Sequence, residues 1–162
     1  MTIRKATTID IPRIMEIFDN ARRYMRATDN RTQWDNGYPS ENIVRNDICR
    51  GWSHVVETGG NIISTFCLMS DPEPSYAAID GPGWLDNSPY LTIHRLASDG
   101  SHSGILHLVT GYALTLSGNI RIDTHADNRP MLSALQREKY TYCGIIRLPD
   151  NSKRLAFQLK FT

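Results

Sequence analysis

The 162-residue sequence has no apolar run near the ~20 residues of a membrane-spanning helix. It also lacks a Cys-x-x-Cys pair. Cys49, Cys67 and Cys143 are odd in number and far apart, which excludes a zinc knuckle or a dithiol redox centre and predicts reduced, buried thiols. No charge of one sign prevails: 18 Lys and Arg against 17 Asp and Glu leave a net charge of +1. Bulk attraction therefore recruits neither nucleic acid nor an anionic membrane, and an anionic ligand needs a local site. No metal site is expected. Repeats, low-complexity tracts and the G-x-S-x-G elbow of serine hydrolases are missing as well. Met1 to Thr8 has no apolar segment of the signal-peptide kind, so a cytoplasmic location is expected. What is present is a composition of 40% hydrophobic and 22% charged residues, that of a folded globular chain, and a length that predicts a single domain over residues 1–162.

Periodicity predicts the elements. Thr2 to Ala6 reads as a strand, and Asp10 and Pro12 open a helix whose Ile14, Ile17, Phe18, Ala21 and Met25 share one face. Ser40 caps a second helix carrying Ile43, Asp47 and Ile48. The runs Ser53 to Glu57 and Asn61 to Met69, parted by Gly59-Gly60, predict a hairpin. Asp71 to Ser88, rich in Pro, Gly, Asp and Asn, reads as a long surface loop, and loops of that length tend to be functional. Strands follow at Tyr90 to Ala97, Ile120 to Asp123, Tyr140 to Leu148 and Arg154 to Phe161, with helices at Gly104 to Leu116 and Asn128 to Glu138. The order β-α-α-β-β-β-α-β-α-β-β implies an α+β protein with a mixed sheet and helices on both faces.

Within this order one junction stands out. Ser98-Asp99-Gly100-Ser101-His102-Ser103-Gly104-Ile105-Leu106 leads from a strand into a helix through a turn of small residues. Helix N-termini present unpaired N–H groups to anions, and glycine lets backbone approach a bound group closely. The turn reads either as a cradle for pyrophosphate or as an ordinary polar turn. His94 and His125, near two strand ends, have the pKa range of a general base, and Asp123 could orient either one or bind a cationic substrate; each imidazole also reads as a structural hydrogen-bonding group. Arg95 reads as a solvated strand charge or, the favoured reading, as a structural ion-pair partner. Trp34 and Tyr38, in an otherwise polar connector, read as core plugs or as ligand contacts.

Taken together, the second half resembles the GNAT N-acetyltransferase superfamily. The residues that carry the resemblance are Tyr90-Leu91-Thr92-Ile93-His94-Arg95-Leu96-Ala97, the Gly100 to Gly104 loop, Ile120-Arg121-Ile122-Asp123-Thr124-His125, Asn128-Arg129-Pro130-Met131 and Tyr142-Cys143-Gly144-Ile145-Ile146. Gln33-Trp34-Asp35-Asn36-Gly37-Tyr38-Pro39 and Ser88-Pro89-Tyr90 are similar to a bacterial branch of it.

The resemblance implies a central, mostly antiparallel sheet of six to seven strands with about four helices, its fourth and fifth strands splayed. It also implies transfer of an acetyl group from acetyl-CoA to a primary amine, on a small molecule or a protein, by direct attack in a ternary complex. Leu96, Ala97, Ser98, Ser103, Gly104, Ile105 and Asn128 then face the acetyl-CoA, with a backbone N–H near Leu96 polarising the thioester carbonyl. His94 or His125 is the candidate base, Asp123 its partner, and Tyr140 a nearby phenol for the leaving thiolate. Trp34, Tyr38 and His94 fall in the acceptor region. A homodimer is a candidate assembly.

The chain departs from the family pattern at three positions. Ser101 stands where an Arg or Gln is usual, Leu106 where a small residue is usual, and Leu135 where many relatives carry an acidic Tyr. A CoA-binding sensor or an interaction module on the same fold is therefore the rival reading, and hydrolysis a weaker one.

Overall fold

In the computed structural model, which describes residues 1–161, seven strands and four helices follow the expected order. The strands are β1 (Thr2–Lys5), β2 (Ser53–Thr58), β3 (Asn61–Met69), β4 (Leu91–Ser98), β5 (Asn119–Thr124), β6 (Thr141–Arg147) and β7 (Lys153–Lys160). The helices are α1 (Ile11–Ala27), α2 (Glu41–Cys49), α3 (Ile105–Leu114) and α4 (Arg129–Arg137), with 3-10 turns at Thr8–Asp10 and Pro74–Tyr76. The strands are ordered β1-β2-β3-β4-β5-β7-β6, a mostly antiparallel arrangement in which β4 and β5 run parallel. The chain divides into two compact units, Met1–Leu68 with His94–Ile105, and Met69–Ile93 with the residues from Leu106 onward.

The first unit is built on α1. Its apolar positions recur every three or four residues, so Ile11, Ile14, Ile17 and Phe18 are all buried on one face. They pack with Val44 of α2, Val55 of β2 and Ala97 of β4, and each fully buried side chain of this size contributes about 1.5–3 kcal/mol. Asp10 stands at the N-cap of α1, but its side chain does not cap that helix. The carboxylate instead accepts from the Thr7 N–H at 2.8 Å and from the Arg4 guanidinium at 2.8 and 2.9 Å, tying β1 to the turn that follows. Ser40 does cap α2, accepting from the Ile43 N–H at 3.3 Å. Val44 and Asp47 face inward on α2, whereas Cys49, one position off that face, is exposed rather than buried.

The second unit is organised around β5, β7 and β6. Asn119 pairs with Lys160 and Thr124 with Leu155, and β6 pairs antiparallel with the other side of β7. The stretch from Asp71 to Ser88 is more than a surface loop: it packs the buried Tyr76 with Ile146 and Ala156, flanked by Ile79, Trp84, Tyr90 and Leu148. It also runs along β6, where Asp80 and Ile145 exchange two backbone hydrogen bonds of 2.9 and 2.8 Å and the Gly83 N–H donates to the Cys143 carbonyl at 2.8 Å. These contacts cover backbone groups that an edge strand would otherwise expose. Gly144 makes the approach possible, since a Cβ there would lie 2.3 Å from the Asp80 carbonyl oxygen. The far end of the loop is held by buried Gln158, which accepts from the Leu85 N–H at 2.8 Å and donates to Asn119 at 2.6 Å.

Candidate active site

In the first unit the site residues come from the end of β4 and the turn after it. Arg95 has φ +51, left-handed backbone that a non-glycine residue adopts only when its surroundings enforce it. Consecutive side chains of a regular strand point to opposite faces. Here the departure brings neighbours together, and the Arg95 guanidinium lies 2.7 Å from His94 Nδ1. A guanidinium only donates, so Nδ1 accepts and the imidazole proton sits on Nε2. The other side of the guanidinium faces Asp47, with Nε 3.1 Å from Oδ2 as an ion-pair contact and a hydrogen bond of 3.3 Å to Oδ1. Cys67 donates its thiol proton to Asp47 Oδ2 at 3.1 Å. Burial pushes the Asp47 carboxyl up, opposed by Arg95 and by the Cys67 hydrogen bond. Tyr38 places its ring 5.9 Å from the same guanidinium and touches Trp34 edge-on, and Trp34 packs against Phe18 of the core.

The turn from Asp99 to Ile105 is ordered by its first residue. Asp99 Oδ2 accepts from Arg13 of α1 at 2.8 Å, while Oδ1 accepts from the Ser101 N–H at 2.9 Å and its hydroxyl at 2.5 Å. Burial pushes the Asp99 carboxyl up, but the Ser101 hydrogen bonds and Arg13 outweigh it and hold it below the usual range. The Ser101 hydroxyl gives its only proton to Asp99, so it accepts from His102 Nδ1 at 2.8 Å. That polarity is the wrong way round for a serine nucleophile, whose proton must pass to the histidine. Gly100 (φ +81) and Gly104 (φ +76) are left-handed, and a Cβ at either would meet nothing within 4 Å. Ser103 and Gly104 are exposed, whereas Ile105 and Leu106 turn into the protein. Leu96 and Ser98 are half-buried, and Ala97 is buried with its carbonyl accepting from Ser64 at 2.6 Å.

The second unit holds the other candidates. Asp123 accepts a 2.6 Å hydrogen bond from the buried hydroxyl of Tyr76, and burial pushes its carboxyl above the usual carboxylate range. Two residues on, His125 Nδ1 accepts the Asp127 N–H at 3.0 Å, so this imidazole also carries its proton on Nε2. Burial, then Arg154, pushes its pKa down, against Asp127. The Asn128 N–H donates to the His125 carbonyl at 3.0 Å, and its side-chain oxygen caps α4 through the Met131 N–H at 3.3 Å. Tyr140 is buried with its hydroxyl 3.0 Å from that of Thr110 on α3, and burial pushes its pKa up to about 12. The Arg121 guanidinium of β5 is clamped between Trp84 and Tyr90, 4.0 Å from each ring centroid. Asp47, Cys67, Tyr76 and Arg121 were not candidates from sequence. A buried Asp on a helix face was the one signal pointing to Asp47. Among the described residues no group of three or more His, Cys, Asp or Glu is placed to hold a metal, and no helix is long and apolar enough to cross a membrane.

No protein-family model and no curated protein matches the sequence. Solved structures do match it. A GNAT-family acetyltransferase from Streptococcus agalactiae is 30% identical over 99% of this chain and 95% of its own, with a TM-score of 0.91. The ribosomal-protein-S18-alanine N-acetyltransferase of Escherichia coli is similar in fold (13% identity, 99% and 94% coverage, TM-score 0.64). So is a GNAT-like decarboxylase in complex with isobutyryl-CoA (12% identity, 99% coverage of both chains, TM-score 0.70). The chain belongs to the GNAT acetyltransferase family.

Proposed function

We propose that the protein is an acyl-CoA-dependent N-acetyltransferase that moves an acetyl group from acetyl-CoA to a primary amine, the whole chain acting as one catalytic domain. The turn from Asp99 to Ile105 carries the reading. Its two left-handed glycines leave the backbone open to close approach, its one carboxylate is already neutralised by Arg13, and it leads into the N-terminus of α3. Those properties fit a pyrophosphate. Ser101, by contrast, spends both its N–H and its hydroxyl on Asp99, so the grip falls to the backbone of Ser103, Gly104 and Ile105, with His102 beside them.

In the reaction the neutral amine attacks the thioester carbonyl carbon, the new C–N bond forms as the C–S bond breaks, CoA leaves as its thiolate, and the proton shed by the acylated nitrogen passes through water to that thiolate. A backbone N–H near Leu96 would steady the developing oxyanion. His94 and His125 both hold their proton on Nε2 and stand as donors. Either could take the amine proton only by giving up its Nδ1 contact, so the ammonium loses its proton to water before attack. A thiolate near pKa 8.5 needs little help in leaving, consistent with Leu135 replacing a phenol and with Tyr140 bound to Thr110.

Free-thiol detection with acetyl-CoA and a panel of small amines, peptides and protein N-termini tests the proposal. Amine-dependent release of CoA is expected; no release, together with no heat of CoA binding, refutes it. Tight CoA binding without turnover would select the sensor reading, which the engagement of Ser101 with Asp99 favours.

A further inference from the structure

We propose that Asp47 is a positioning residue for the transfer: through Arg95 it locks His94 as the Nε2–H tautomer, so that His94 serves the reacting groups as a hydrogen-bond donor. The proposal rests on the acetyltransferase reading for its purpose and on the geometry of the first unit for its mechanism.

Three observations carry it. First, Asp47 is only 1% exposed, and an ionised carboxylate is tolerated at such a place when it is paired. Its charge faces Arg95 at 3.1 and 3.3 Å, and the Cys67 thiol donates to the same group at 3.1 Å. Second, the guanidinium so held has little freedom. The carboxylate takes one side, the Tyr38 ring lies 5.9 Å from its carbon, and its remaining terminal nitrogen points at His94 Nδ1, 2.7 Å away. Third, the contact needs the left-handed backbone of Arg95. In a regular strand Arg95 and His94 would face opposite sides, so the φ of +51 is what allows a residue to hold its own neighbour.

The chemistry follows from the donor. Arginine stays charged and has no lone pair to offer, so its N–H can be satisfied only if Nδ1 is unprotonated. His94 is therefore neutral, with its N–H at Nε2. Remove Asp47 and the guanidinium is free to turn away; remove the guanidinium and the ring proton can sit on either nitrogen.

Nitrogen-15 spectra of the histidine side chains, assigned with a His94→Gln variant, read the tautomer with no substrate present. Wild type is expected to show a bare Nδ1 and a protonated Nε2 at position 94. Arg95→Met and Asp47→Asn are expected to spread the proton over both nitrogens and to lower kcat by about 10- to 100-fold, as loss of an orienting partner does, without raising KM for acetyl-CoA. Arg95→Lys, which keeps a charged donor, is expected to recover part of both. Should Asp47→Asn fail to fold, the Arg95 pair decides. The proposal is overturned by a wild-type proton on Nδ1, by an unchanged spectrum in Arg95→Met, or by a changed spectrum with unchanged kcat. If wild type releases no CoA with any amine, the acetyltransferase reading falls, and the spectrum alone judges the lock.

Discussion

Tyr76, in the middle of the loop between β3 and β4, donates its buried hydroxyl to Asp123 of β5 across 2.6 Å. The bond favours the charged form of Asp123, whereas burial disfavours it, and the net pKa stays above the usual range. Tyr76→Phe is expected to cost about 1–3 kcal/mol in urea unfolding at neutral pH. A group whose folded pKa is raised binds its proton more tightly in the folded state, so its contribution falls as pH climbs from the unfolded pKa through the folded one. Without the hydroxyl that fall extends to higher pH. The deficit of the variant should therefore be larger at pH 7 than at pH 4, and an equal deficit at both would refute this account.

Gly144→Ala tests the seam between the same loop and β6. The added methyl would meet the Asp80 carbonyl oxygen at 2.3 Å, at a backbone φ of +139. Both effects push the two segments apart. Amide exchange at Asp80, Gly83 and Ile145 is expected to quicken more than that of β5, with a stability loss of about 2 kcal/mol or more. Exchange that is unaltered at those three amides would show that the loop can absorb the methyl.

Gly104→Ala addresses the proposed anion site. Space around the glycine is open, so the cost is conformational, about 1–2 kcal/mol for a left-handed alanine. Calorimetric titration with CoA is expected to show weaker binding by about tenfold, the equivalent of 1.4 kcal/mol, with the thermal midpoint lowered by a few degrees, about 2–8 °C. A loss of stability without a loss of affinity would place the ligand elsewhere.

At the start of the chain the Arg4 guanidinium, aided by the Thr7 N–H and opposed by burial, holds the Asp10 carboxyl below the usual range. A depressed carboxylate stabilises the fold above its unfolded pKa, and that contribution disappears as pH falls through the folded value. Acid titration of stability is expected to steepen below about pH 4 and to flatten there in Asp10→Asn. Identical acid limbs for the two proteins would contradict it.

The sequence made the scaffold legible because periodicity and caps are local signals. The 3.6-residue recurrence marked Ile14, Ile17 and Phe18 as one buried face, Gly59-Gly60 marked the β2–β3 hairpin, and Ser40 and Asn128 marked helix starts. Polar pairing is not local. Tyr76 finds Asp123 across 47 positions, Arg95 finds Asp47 across 48, and Leu85 finds Gln158 across 73. Composition described the Asp71 to Ser88 stretch as solvated, and no pattern in it shows that Tyr76 and Trp84 fold back onto the strands. The same limit hides the state of the two imidazoles. Their presence near strand ends suggested bases; which nitrogen bears the proton depends on Arg95 and on the Asp127 amide, and only geometry reveals it.

Arg13 belongs to α1, yet it bonds both the Ile62 carbonyl at 2.9 Å and the Asp99 carboxylate at 2.8 Å. The turn from Asp99 to Ile105 is therefore shaped before any ligand arrives, and its shape is set by a residue 86 positions upstream. On the proposed reading, a change at this one position of α1 alters the hold on a phosphate bound at the turn. Position 13 is a remote tuning point for the proposed anion site, adjustable while every residue of the turn is left as it is.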